Sequence, residues 1–141
     1  MFNWFFFPLE KPRARPILSR AFPTNKTVKT GSNVSFQCIE LRSTTLTDYR
    51  WLKWYKPANA SSLQEKLVDS PSENSSDYKL IDPAQYVSFR VKDKEGDYGG
   101  KVVLTNVTKE DEGMYTCLIS NHVGKSLRSA FLIIDDSGKT Y

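Results

Sequence analysis

The side chains best equipped for chemistry in this chain are two cysteines, Cys38 and Cys117, a single histidine, His122, and the adjacent carboxylates Asp135 and Asp136. The histidine precedes a turn-forming Gly124 and has neither a G-x-S-x-G motif nor a facing carboxylate pair to work with, which removes the partners that acid–base or nucleophilic catalysis requires. Metal binding draws on clustered His and Cys ligands, which this inventory cannot supply once the cysteines pair with each other. Asp135 and Asp136 read as an exposed tail. There is no glycine-rich loop, H-R-D or D-F-G, so kinase chemistry is absent from the chain as well. No catalytic residue, metal ligand or cofactor is expected.

Acceptor chemistry is what the sequence does carry. Asn25, Asn33, Asn59, Asn74 and Asn106 each open an N-x-[ST] triplet without proline, leaving only Asn3 and Asn121 of the seven asparagines outside such a triplet. Asn59 and Asn74 fall in a serine-rich stretch where matches arise easily. Two cysteines alone are compatible with free thiols. The sequons argue for the secretory route, where disulfides form and persist. Cys38 and Cys117 are therefore expected to bridge.

With 141 residues and a net charge of +4, the chain fits one domain with flanking segments. The positive charge is spread rather than massed, which favours loose attraction to acidic surfaces such as heparan-like polysaccharide. No arginine-rich helix or aromatic stacking platform supports nucleic-acid binding. No stretch approaches the ~20 apolar residues that span a bilayer. Residues 1–8 are apolar but short, without a basic start or a small-residue cleavage site. They read as a damaged signal segment, an irregular leader, or a remnant of what precedes the domain in a longer protein, and the chain is expected to be a fragment.

The elements that must position these residues are short strands. Residues 1–16, broken by Pro8, Pro12 and Pro16 with Lys11, Arg13 and Arg15 between them, form an extended leader or linker. Strands are expected at 33–40, 49–55, 86–91, 101–106, 114–120 and 126–134, with a domain over 17–135 and a tail over 136–141. Val34, Phe36 and Cys38 share one face, as do Tyr115, Cys117 and Ile119, and Ala130, Leu132 and Ile134. Residues 56–82 are polar and form an insertion too long for a hairpin. Short strands with frequent turns and no helical stripe imply an antiparallel sandwich or barrel.

Four features in order narrow this to an immunoglobulin-like two-sheet antiparallel β-sandwich, and their pattern resembles an I-set domain. Core-facing Cys38 on an early strand can meet Cys117 on a late one, closing a loop of 79 residues, worth about 4–5 kcal/mol in the chain-entropy model. A tryptophan follows at the spacing that packs an indole on the disulfide. Trp51 and Trp54 both qualify but lie three apart, on opposite faces, so one is core and the other faces outward or ends the strand. Trp51 is favoured because Tyr49 then points inward with it. Tyr115, two residues before Cys117, matches the tyrosine corner. Leu104 and Val107 supply core contacts ahead of Asp111, which can accept hydrogen bonds or pair with an arginine.

Arg15-Pro-Ile-Leu18, Pro23-Thr-Asn-Lys-Thr27, Trp51-Leu-Lys53, Tyr86-Val87, Asn106-Val-Thr108, the run from Glu110 to Leu118, Ser120-Asn-His-Val-Gly124 and Ser129-Ala-Phe-Leu132 together resemble the third, membrane-proximal immunoglobulin domain of fibroblast growth factor receptors over residues 10–135. The resemblance implies an extracellular ligand-binding domain of a single-pass receptor tyrosine kinase, or a secreted form of it. It implies ligand contacts at Lys11, Arg13 and Arg15 in the linker, at Asn121 and His122 in the last loop, and at Asp97 and Tyr98 in the loop around 92–100. Growth factor and an acidic polysaccharide such as heparan sulfate would then bring two receptors together as a dimer. Gly124 and Asn121 have a plainer reading too, as a turn glycine with positive φ and a turn-stabilising amide. The competing identity is an adhesion or guidance protein, or a kinase-less decoy receptor, with the same fold and another partner.

Overall fold

A computed structural model describes residues 14–43, 47–57, 76–92, 94 and 96–137. Among these residues nine strands follow one another as β1 (Ile17–Leu18), β2 (Lys26–Val28), β3 (Val34–Leu41), β4 (Asp48–Trp54), β5 (Tyr78–Leu80), β6 (Tyr86–Arg90), β7 (Tyr98–Leu104), β8 (Gly113–Ser120) and β9 (Lys125–Ile134). They form two sheets, ordered β1-β3-β7-β6 and β2-β9-β8-β4-β5. The pairing departs from the expected fully antiparallel sandwich at one place. β2 runs parallel to β9, with Lys26 opposite Leu132 and Val28 opposite Ile134. The chain therefore leaves the first sheet after β1 and joins the second at β2.

The alternation read from the sequence sets the core. Val34, Phe36 and Cys38 from β3 meet Trp51, Tyr115, Cys117, Ile119, Ala130, Leu132 and Ile134 from the second sheet in a single cluster. The Cys38–Cys117 disulfide joins the sheets at its centre, and Trp51 sits directly across from Cys117 in register. Phe36 stacks on Tyr115 with centroids 5.2 Å apart and lies 6.5 Å from Trp51. The Tyr115 hydroxyl donates to the Asp111 carbonyl at 2.5 Å, closing the corner before β8. Asp111 turns its carboxylate to the Thr108 N–H at 2.8 Å, which caps the short 3₁₀ turn Lys109–Asp111.

One local expectation gains a detail and two need correction. Trp51 is the core tryptophan, but Trp54 is also shielded, at 2% exposure. It lies on the opposite face among Leu52, Tyr78 and Met114, with its indole N–H donating to Thr116 Oγ1 at 2.8 Å. A period-2 pattern assigns a face; it does not say what covers that face. Second, the polar stretch 56–82 is not loop throughout, because Tyr78–Leu80 forms β5 and both Tyr78 and Ile81 are buried. Third, β7 begins at Tyr98, not Lys101. Gly99 and Gly100 read as loop residues but serve packing. A Cβ on Gly100 would lie 2.4 Å from the Tyr49 ring, and one on Gly99 would lie 2.1 Å from Phe89.

Candidate functional site

One end of the sandwich gathers the loops. In the first sheet Glu40 lies across from Tyr98, and Tyr98 from Arg90. In the second Asp48 lies across from Ser120, and Ser120 from Lys125. The N-terminal segment reaches the same end, since Ile17 pairs with Leu41.

Asn121 organises the β8–β9 turn. Its Oδ1 accepts from the N–H groups of Val123 at 2.8 Å and Gly124 at 3.1 Å, while its own N–H donates to the Gly124 carbonyl at 2.9 Å. This side-chain-closed turn needs no left-handed glycine, and the positive-φ glycines among the described residues are Gly31, Gly96 and Gly113. The expected positive φ at Gly124 is therefore not found. Gly124 packs against the N-terminal segment: a Cβ there would stand 3.4 Å from the Cβ of Arg15. The same Asn121 side chain donates from Nδ2 to the Ala14 carbonyl at 2.7 Å, and Ser126 Oγ donates to the Pro16 carbonyl. Below them Arg128 donates to the carbonyls of Phe22 at 2.9 Å and Arg20 at 3.0 Å. Residues 14–16 thus lie against the turn, where Arg15, His122 and Val123 are all exposed.

The other two expected contact residues sit at this end on the other sheet. Asp97 Oδ1 accepts from the Arg42 N–H at 3.2 Å, and Ser43 N–H donates to the Gly96 carbonyl at 2.6 Å, so the loops flanking β3 and β7 brace each other. Tyr98 is half-buried with the Arg90 guanidinium 5.9 Å from its ring centroid, a cation–π distance. Lys11 and Arg13 lie outside the described residues, as do Asn59 and Asn74. Asn25, Asn33 and Asn106 are exposed. Asn25 Oδ1 accepts from Phe131 N–H at 2.9 Å, and Asn33 Oδ1 accepts from Asn106 N–H at 3.0 Å.

Sequence reasoning missed Arg42, Arg90 and Glu40. Glu40 is buried and takes the Thr47 N–H at 3.1 Å and hydroxyl at 2.9 Å on its Oε1. A signal was available: Glu40 continues the inward face of Cys38, and a carboxylate at a core position requires nearby donors.

Elsewhere, a groove of about 620 Å³ opens beside β5, lined by Arg50, Lys53, Lys79, Asp82, Asp111 and Tyr115 among others. Arg50 is paired with Asp48 at 2.9 Å, and Lys53 donates to the Glu110 carbonyl. Partial burial lowers the Lys53 pKa, with Asp111 pulling the other way. Two carboxylates share the wall with the three cations, so the groove has little net charge. Among the described residues no group of three or more His, Cys, Asp and Glu could hold a metal ion, and no helix is long and apolar enough to cross a membrane.

The immunoglobulin domain family model matches residues 15–121. Fibroblast growth factor receptor-like 1 of Gallus gallus is 33% identical over 126 residues, covering 89% of this chain and 24% of that protein. The Homo sapiens protein of that name is 32% identical over the same share of this chain and 23% of its own length. Fibroblast growth factor receptor 1 of Pleurodeles waltl is 32% identical, again over 89% of this chain but 14% of its own. The chain thus spans about a quarter or less of these relatives. Among solved structures, the I-band fragment I67–I69 of titin superposes with a TM-score of 0.54 at 23% identity, over 87% of this chain and 33% of that one. The Dpr2 Ig1–Ig2 complex with DIP-Theta Ig1–Ig3 gives 0.55 at 13% identity, over 86% and 33%. Both likenesses concern the fold alone. The chain belongs to the immunoglobulin domain family and, within it, is related to the domains of fibroblast growth factor receptor-like 1 and fibroblast growth factor receptor 1.

Proposed function

We propose that this chain is the membrane-proximal, third immunoglobulin domain of a fibroblast growth factor receptor-type protein, and that it binds a growth-factor protein ligand on the extracellular side of the plasma membrane. The observation that carries this reading is the docking of residues 14–16 on the β8–β9 turn. It brings residues 14–16 and the last loop together as one surface. Arg15 lies over Gly124, next in sequence to Val123, which is 48% exposed, so the surface combines cationic and apolar character as protein interfaces do. Lys11 and Arg13 would extend its charge. Asp97 and Tyr98 contribute from the neighbouring sheet, where Asp97 acts by bracing the loops. Sugars on Asn33 and Asn106 would sit at the far end, at the β7–β8 connection, and leave this surface bare.

On this reading ligand and heparan sulfate together hold two receptors in a dimer, and any kinase belongs to the remainder of the parent protein. The receptor and receptor-like relatives match this chain almost equally, at 32–33% identity, so the kinase-less alternative shares the same ligand surface. The test is titration of fibroblast growth factors over the immobilised chain, joined to any preceding domain, with and without heparin. Saturable binding that drops at least ~10-fold in a Lys11→Ala/Arg13→Ala/Arg15→Ala triple variant is expected, about 1.4 kcal/mol. Absence of saturable binding, or indifference to the triple variant, would sink the proposal.

A further inference from the structure

We infer that Asn121 is a positioning residue: it locks the N-terminal segment onto the β8–β9 turn, so that linker and loop meet a partner as one preset unit. The inference deepens the ligand-binding reading above and rests on it for its binding consequence, though the lock itself does not.

The geometry divides the Asn121 amide between two tasks. Oδ1 is taken by two N–H groups of its own turn, at 2.8 Å and 3.1 Å. Nδ2 reaches a carbonyl 107 residues earlier in the chain, at 2.7 Å. A carbonyl two residues further on, that of Pro16, is held by Ser126 Oγ from the other side of the turn. Between these two bonds Arg15 passes over Gly124, close enough that a Cβ there would stand 3.4 Å from the Arg15 Cβ. Three consecutive linker residues are thereby fixed to one hairpin, and half-buried Asn121 has a polar atom on each side of the junction.

A segment ordered before a partner arrives loses less conformational freedom on binding. If the binding-competent arrangement is the locked one, the apparent affinity falls in proportion to the fraction of molecules that leave it. Asn121 thus sets affinity through the linker, without needing to touch the ligand.

Asn121→Asp separates the two tasks, because a carboxylate still accepts from Val123 and Gly124 but cannot donate to Ala14. Trypsin supplies the readout. Lys11 and Arg15 both precede proline, so Arg13–Ala14 is the cleavable bond within 11–16. In the full 141-residue chain, followed bond by bond by mass spectrometry, cleavage there is expected to rise about five-fold in Asn121→Asp, the effect of releasing one hydrogen bond on the open population. Ser126→Ala should act in the same direction, and His122→Ala should leave the rate unchanged. Growth-factor affinity, measured in parallel, should fall by a similar factor in Asn121→Asp. Wild-type cleavage rates in both lock variants would overturn the inference. So would an increase spread equally over Arg20–Ala21 and Lys125–Ser126, which marks general loosening. Faster cleavage at Arg13–Ala14 in a chain whose wild type binds no growth factor would uphold the lock and discard the ligand reading.

Discussion

Tyr115 shows how much one hydroxyl can settle. Its ring stacks on Phe36 beside the disulfide, and its O–H donates to the Asp111 carbonyl. Burial, and then the negative charge of Asp111, push its ionisation well above the ordinary phenol value. Burial raises Tyr86 as well, where the hydroxyl accepts from the Trp51 N–H at 2.8 Å and donates to the Ile81 carbonyl at 2.7 Å. A folded-state pKa above the unfolded one gives stability that is complete below about pH 10 and is lost as unfolded tyrosine ionises above it. Denaturant melts should therefore show a steep decline from about pH 10 upward, and Tyr115→Phe should lose roughly 1 kcal/mol at pH 7 but decline less steeply in alkali. Identical alkaline slopes for the two proteins would refute this. The corner itself was legible, because Tyr115, Cys117 and Asp111 keep a fixed spacing. The double duty of Asn121 was not, since nothing local to Asn121 reveals that Ala14 stands opposite.

At the scale of strands, the sequence was most readable where one face is core and the other is solvent. β3 alternates from Val34 to Gln37, so Phe36 and Cys38 could be placed inward before any pairing was known, whereas β8 is buried on both faces from Met114 to Ile119 and Tyr115 and Cys117 were placed by their spacing. It was least readable where packing is two-sided or the strand is short. Trp54, Leu52 and Met114 make a second apolar layer on the outer face of their sheet, and three-residue β2 has too few positions to show a period. The pair Gly99–Gly100 illustrates the same limit, because glycine suggests a loop while here each accommodates an aromatic ring on its own side of β7. The two positions should differ. Tyr49 packs against the core and is hydrogen-bonded to Ser88 at 2.9 Å, whereas Phe89 belongs to neither apolar cluster. Gly100→Ala is expected to cost about 2–3 kcal/mol and Gly99→Ala under about 1 kcal/mol, as overpacking costs go. Equal losses in urea melts would show that both rings yield alike.

For the molecule as a whole, the placement of the two chain ends matters most. The N-terminal segment enters beside the β8–β9 turn, and β9 carries the chain to the opposite end, where the Asp136 carboxylate takes both the N–H and the hydroxyl of Thr30, at 2.9 Å and 2.6 Å. Asp135 N–H donates to the Val28 carbonyl at 2.9 Å. Composition gives no sign of this fastening, which joins residues 106 positions apart.

The parallel β2–β9 pair has a mechanical corollary. β2 is tied toward the entry end and β9 toward the exit end, so tension between the termini slides one strand along the other. Their ladder is loaded in shear, with its bonds sharing the force, instead of being peeled open one rung at a time. Stretched between neighbouring modules, the domain should yield late and abruptly, and Val28→Pro, which removes an N–H from that ladder, should lower the rupture force seen by single-molecule pulling. An unchanged rupture force would mean that some other contact bears the load.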